Sequence, residues 1–299
     1  MGGEIEEVWH LAASTAFDET KRQEIETSNI NGTKNVLDFA HRFPHLDRFH
    51  YMSTSYISGK NNGTIPEDRV TNQNGFKNPY ESSKFVCENL VRDSNLPFVI
   101  IRPSILIGDS KTGDPKGENR MFYGYLLTLY YSILHHFGGE KQFWDYWRNT
   151  KDGLEKLDVR LVGSPATTKN VVTIDDVVNL CMKIKEDNNL GKTYNLVNPR
   201  NITMEFATSA IQRALKVKGL KHDGALSEGS LDKDNKLEKI AYKKTRIYHP
   251  YMSISEPEWD YSNVSRLGAE RVLMTDERFE FLMRKFVEKE LIKNDSNYH

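Results

Sequence analysis

An α/β fold, a parallel sheet with helices on both faces, is what this 299-residue sequence predicts. Three observations carry that expectation. Short apolar runs recur at Glu7-Val8-Trp9-His10-Leu11, Phe49-His50-Tyr51-Met52-Ser53 and Pro97-Phe98-Val99-Ile100-Ile101-Arg102; helix-compatible segments lie between them; and each run ends in small or polar residues. Strands joined through helices run parallel, with both faces of the sheet covered. The ends are Ala12-Ala13-Ser14, Thr54-Ser55 and Pro103-Ser104. Ligands of open α/β sheets bind beyond the carboxyl ends of the strands, so these three segments are expected to line one crevice.

The helices follow from periodicity and caps. Asn29 to Phe43 reads as a helix with Val36, Leu37 and Ala40 inward, and Pro79 opens a second one running from Tyr80 to Val91. Met121 to Phe137 is apolar and aromatic, yet too rich in Tyr and His for a bilayer, and is expected in a core or subunit contact. Thr173-Ile174-Asp175-Asp176 resembles a capping box that starts a helix through Lys185; Lys192 to Leu196 reads as a strand. Lys216 to Lys244, dense in charge and glycine, is expected to be a mobile surface segment. Thr275 caps a last helix whose stripe is Phe279, Leu282, Met283, Phe286, Val287 and Leu291. The expected organisation is a core over residues 1–120 with 155–200 returning to it, a helical insertion at 121–154, and a smaller, mostly helical substrate or lid region at 201–299.

Composition excludes several classes. Lys+Arg 41 against Asp+Glu 42 leaves a formal charge of −1, which argues against a nucleic-acid partner. The 2 cysteines, Cys87 and Cys181, lie far apart without metal-ligand spacing, so structural thiols in a reducing cytoplasm are expected, with no metal. No run reaches membrane-spanning length and no basic-then-apolar leader opens the sequence.

Chemistry is suggested by Tyr80 and Lys84. A phenol is a poor proton shuttle at neutral pH, but an ammonium one helical turn away favours the phenolate and lowers its pKa. Such a pair takes a proton from an alcohol or gives one to a carbonyl. With 14 tyrosines in the chain, about one Tyr-x-x-x-Lys arises by chance, and Tyr56/Lys60 is a second copy. Context separates them, since Tyr56/Lys60 straddles Ser58-Gly59 while Tyr80/Lys84 shares a helix face.

Taken in order, the motifs resemble the extended short-chain dehydrogenases/reductases, a family of Rossmann-like folds that includes nucleotide-sugar epimerases and dehydratases and acyl-thioester reductases. Val8-Trp9-His10-Leu11-Ala12-Ala13 resembles the family's fourth strand, Asn29-Ile30-Asn31-Gly32-Thr33 the following helix, and Tyr51-Met52-Ser53-Thr54-Ser55 the fifth strand with its catalytic hydroxyl. Arg102-Pro103-Ser104-Ile105-Leu106-Ile107-Gly108 resembles the segment that touches nicotinamide, and Val172 to Val177 and Thr193-Tyr194-Asn195-Leu196 match later landmarks. The resemblance covers roughly residues 5–200 and implies roles. Tyr80 becomes the acid/base, Thr54 a hydrogen-bond donor to the same substrate oxygen, Lys84 the holder of the nicotinamide ribose, and Asn29 a support. His10, Leu11, Ala12, Ala13, Ser53, Pro103, Ser104 and Ile105 become the cofactor wall, together with Tyr80 and Lys84.

The glycine fingerprint of the family's first strand-helix turn has no match here. The expectation is therefore an N-terminally truncated Rossmann core, with the sequence starting at an internal methionine of a longer protein. NADP or NAD is the implied cofactor, NADP slightly ahead by the reductase resemblance; the residue that tells them apart at the ribose 2′ position belongs to the same unmatched stretch. Arg102 to Gly113 is most similar to the branch that reduces acyl thioesters, fatty acyl reductases included, with Tyr248-His249-Pro250-Tyr251 and Trp259 to Asn263 of similar flavour. A small or carrier-bound acyl substrate follows, and a homodimer is compatible. Two alternatives stand beside this reading: a nucleotide-sugar epimerase or dehydratase, and a scaffold protein retaining a Rossmann remnant without cofactor.

Overall fold

The computed structural model describes residues 5–117, 121–151 and 153–292. It divides into two compact units, one of Met1–Ser104, Asp176–Val197 and Pro257–Arg271, the other of Ile105–Asp175, Asn198–Glu256 and Val272–His299. These differ from the boundaries expected from sequence. Glu155–Val162 finds its hydrogen-bond partner in Val217–Asp223 of the second unit, whereas Glu258–Trp259 pairs with Thr64–Ile65 in the first.

The first unit is built on a four-stranded sheet in the order β1 (Glu7–His10), β2 (Arg48–Met52), β3 (Phe98–Pro103) and β4 (Thr193–Leu196). Every pairing is parallel, as the α/β class requires. Period-two alternation sends Phe49 and Tyr51 of β2, with Ile100 of β3, into a core closed by Leu37 and Ala40 of α1 (Gly32–Ala40) and Cys87 and Val91 of α2 (Pro79–Arg92). Among the described residues β1 pairs with β2 alone. Its Trp9 stacks on His50, ring centroids 3.7 Å apart.

Local chemistry explains α2. The Asn78 side chain accepts from the Glu81 N–H at 3.0 Å, Pro79 fills the first turn where no N–H is needed, and Arg92 sits in the last turn. The entry to α1 is less regular. The helix Arg22–Glu26 widens into a π turn at Thr27–Asn31 before α1 resumes ordinary winding, and this turn carries Asn29 inward.

One buried ion pair ties the unit together. Arg102 of β3, fully buried, donates from Nε and Nη2 to the two Glu88 carboxylate oxygens at 2.8 and 2.7 Å. It also donates to the carbonyls of Pro66 at 3.0 Å and Asp68 at 2.8 Å. Glu67 beside them accepts from the backbone N–H of Asn195 at 2.9 Å and from that of Asn263.

In the second unit, helix Met121–Phe137 buries Phe122, Tyr123, Tyr125, Leu126, Leu129, Tyr130 and Ile133, so it is core. The expectation of a mobile segment at 216–244 is corrected. Val217–Asp223 is a strand, and Asn235 caps helix Lys236–Thr245 by accepting from the Glu238 N–H at 2.9 Å. Charge density hid the pattern: Val217 and Leu220 of the strand are buried, and Glu238, also buried, receives Arg160. Thr275 caps the last helix as expected.

Candidate active site

The parallel register brings the ends of β1, β2 and β3 side by side. His10 lies opposite Tyr51 and Met52 opposite Ile101, and the Ser53 N–H donates to the Ile101 carbonyl at 2.7 Å. Beyond these ends lie Ser53, Thr54 and Ser55 from β2 and Ser104 from β3, all buried. Thr54 caps the short turn Ser55–Ser58, its hydroxyl oxygen accepting from the Tyr56 N–H at 3.3 Å, which leaves its proton to give.

Lys84 projects from α2 to this edge. Its Nζ donates to the Met52 carbonyl at 2.7 Å and stands 4.9 Å from the centroid of the Tyr51 ring. Burial pushes its pKa down to about 8, against the opposing pull of Cys87 and Glu88. Tyr80, one turn earlier, is half-buried, with its ring 5.9 Å from that of Phe17.

Asn29 holds this helix from behind. Its amide donates to the Ser83 hydroxyl at 2.8 Å and to the Ser14 carbonyl at 3.0 Å, and accepts from the Ser14 N–H at 2.7 Å. Ser83 donates in turn to the Tyr80 carbonyl at 2.8 Å. His10 is buried and bonded to the Thr33 hydroxyl at 3.0 Å; burial, then the charge of Lys84, drives its pKa to about 4. Leu11 is 55% exposed, Ala12 is exposed and Ala13 half-buried. Pro103 ends β3, while Ile105 lies in the second unit, in a strand paired with Val171–Thr173. Sequence reasoning placed Ser14 at a strand end but gave no bonding role to it, to Ser83 or to the Tyr51 ring; only the inward period-two position of Tyr51 could have marked that ring.

The Oγ atoms of Ser53, Ser55 and Ser104 are buried without a hydrogen-bond partner. Orphaned hydroxyls at strand ends are costly unless a ligand supplies donors and acceptors, as the ribose and carboxamide of a nicotinamide nucleotide do. The residues present therefore fit such a group.

The histidines give the unit a measurable acid sensitivity. His50, wholly buried, also titrates near 4, chiefly through burial. Both imidazoles stay neutral in the fold while the unfolded chain takes up protons below about 6.5, so stability falls as pH drops from about 6.5 to about 4. The limit is on the order of 3 kcal/mol per histidine. Glu67, raised to about 7 by burial, works in the opposite sense between about 7 and 4.5 and offsets part of this. Urea midpoints at pH 7 and pH ~4.5 should differ accordingly, and His50→Phe, which keeps the stack on Trp9, should remove one histidine's share, which is most of the difference that Glu67 leaves.

With this geometry in place, comparison with known proteins is informative. Residues 1–145 match the male sterility protein family, a family of NAD-binding domains. Two curated relatives point the same way. An adenylate-forming reductase, Nps11, of Serpula lacrymans is 33% identical over 97 residues, 30% of this chain and 8% of that protein. A putative fatty acyl-CoA reductase, CG8303, of Drosophila melanogaster is 27% identical over 134 residues, 34% of this chain and 24% of that protein. The chain spans less than half the length of the curated relatives it matches. Among solved structures, the terminal R domain of the myxalamid PKS-NRPS pathway superposes with TM-score 0.68 at 18% identity, covering 96% of this chain and 68% of that one. UDP-glucuronic acid 4-epimerase from Bacillus cereus, solved with NAD, gives 0.64 at 18%, covering 96% and 75%. The Rossmann-like fold and the resemblance to extended short-chain dehydrogenases/reductases are thus borne out, and among the described residues no helix is long and apolar enough to cross a membrane.

Proposed function

We propose that this male-sterility-type chain carries the acid/base machinery of an NAD(P)-dependent reductase acting on an acyl thioester or aldehyde, with NADP ahead of NAD. The observation that carries the reading is the placement of Lys84: buried, bonded to the last carbonyl of β2, one turn from Tyr80 and at the strand end that bears Thr54. Ser53 and Ser104, with the ammonium of Lys84, would hold the nicotinamide nucleotide. When bound, that group supplies the hydride.

The chain's own part is proton handling. Tyr80 would give its phenolic proton to the substrate's carbonyl oxygen, and Thr54 would donate a hydrogen bond to the same oxygen. Lys84 steadies the phenolate until solvent returns the proton. The balance for an aldehyde is one hydride and one proton in, one alcohol out; a thioester releases aldehyde and thiol for the same input.

The test is to incubate the chain with NADPH and a long-chain acyl-CoA or aldehyde and follow the loss of NADPH absorbance together with product. Consumption matched by aldehyde or alcohol is expected. Conversion of a nucleotide sugar with no net cofactor change would replace this reading with the epimerase or dehydratase one, and inertness toward both would leave the scaffold.

A further inference from the structure

We infer that Tyr51 is a positioning residue whose ring face keeps Lys84 in its ammonium form. This rests on the role proposed for Lys84, but it concerns a titration that can be read without any turnover.

The case is one of weak counter-charge: the pull of Cys87 and Glu88 does not offset the burial of the lysine. Lys84 is 3% exposed, so water does little to stabilise its charge. The titratable groups around it are His10 of β1, Tyr51 of β2, and Tyr80, Cys87 and Glu88 of its own helix. His10 is neutral at pH 7, and burial raises the Cys87 thiol, which leaves it neutral as well. Glu88 is the formal anion, yet both its oxygens are taken by Arg102, with Arg92 3.8 Å away. What remains in contact with Nζ is the Met52 carbonyl at 2.7 Å and the Tyr51 π face at 4.9 Å.

A carbonyl dipole and a ring quadrupole both favour a cation, and in a desolvated site the ring is the larger adjustable part. The hydroxyl of Tyr51 makes no hydrogen bond of ordinary geometry, so the ring rather than the phenol is the working group. The same side chain fills the core between α1 and α2, which fixes the platform under the lysine.

The experiment titrates Lys84 by NMR in chain labelled with [ε-¹³C]lysine, the resonance assigned by its loss in Lys84→Arg. Wild type and Tyr51→Phe should titrate together. Tyr51→Leu, and pentafluorophenylalanine at position 51, should titrate lower by about one pH unit. The fluorinated ring keeps the shape and reverses the quadrupole, so it decides the matter if the leucine variant does not fold. Equal or higher values in the fluorinated protein would overturn the inference. The expected downward shifts in the leucine and fluorinated variants, seen in a chain that consumes no NADPH, would sink the reductase reading and leave this one standing.

Discussion

Tyr80→Phe is expected to lower NADPH-dependent turnover by about 10²–10⁴-fold, with the urea midpoint unchanged. The size follows from the role: the carbonyl oxygen would have to collect its proton from water while Thr54 stabilises it alone. Stability should be largely spared because the ring, which lies against Phe17, is retained in phenylalanine. Since the proton moves only in the transition state, kcat should fall with KM little changed. A variant that keeps more than about a tenth of wild-type kcat would remove Tyr80 from the acid/base role.

Arg102→Met should be the most damaging single change to the fold, costing about 3–5 kcal/mol in urea denaturation. The guanidinium satisfies both Glu88 oxygens and the carbonyls of Pro66 and Asp68, all from a fully buried position. Methionine fills the volume but leaves a buried carboxylate without its partner. The double variant Arg102→Met/Glu88→Leu should recover part of the loss, because the charge goes too, though the two carbonyls stay unsatisfied. A cost below about 1 kcal/mol for the single variant would show that the pair is not the tie described here.

The sheet was legible because its strands are short, apolar and punctuated by small residues, and α2 because Asn78, Pro79 and the following turn all agree. Tyr80, Lys84 and Thr54 were legible as residue types in order. What the sequence hid were features set by other segments. The strand at Val217–Asp223 shows only two apolar positions to a reader, and its identity depends on the partner at Glu155–Val162. Asn29 is bonded to Ser14 and Ser83, residues of no special type, so nothing local announces the brace. The orphaned hydroxyls are likewise invisible until the strand ends lie side by side.

The widened coil at Thr27–Asn31 holds one more residue than an ordinary turn would. Losing any of its residues other than Asn29 would let the coil tighten, swinging the upstream side chains by about 100° relative to those downstream. The amide of Asn29 would then leave its three partners at once, although no atom of the brace had been altered. Length, more than side-chain identity, is therefore the quantity that this short stretch has to preserve.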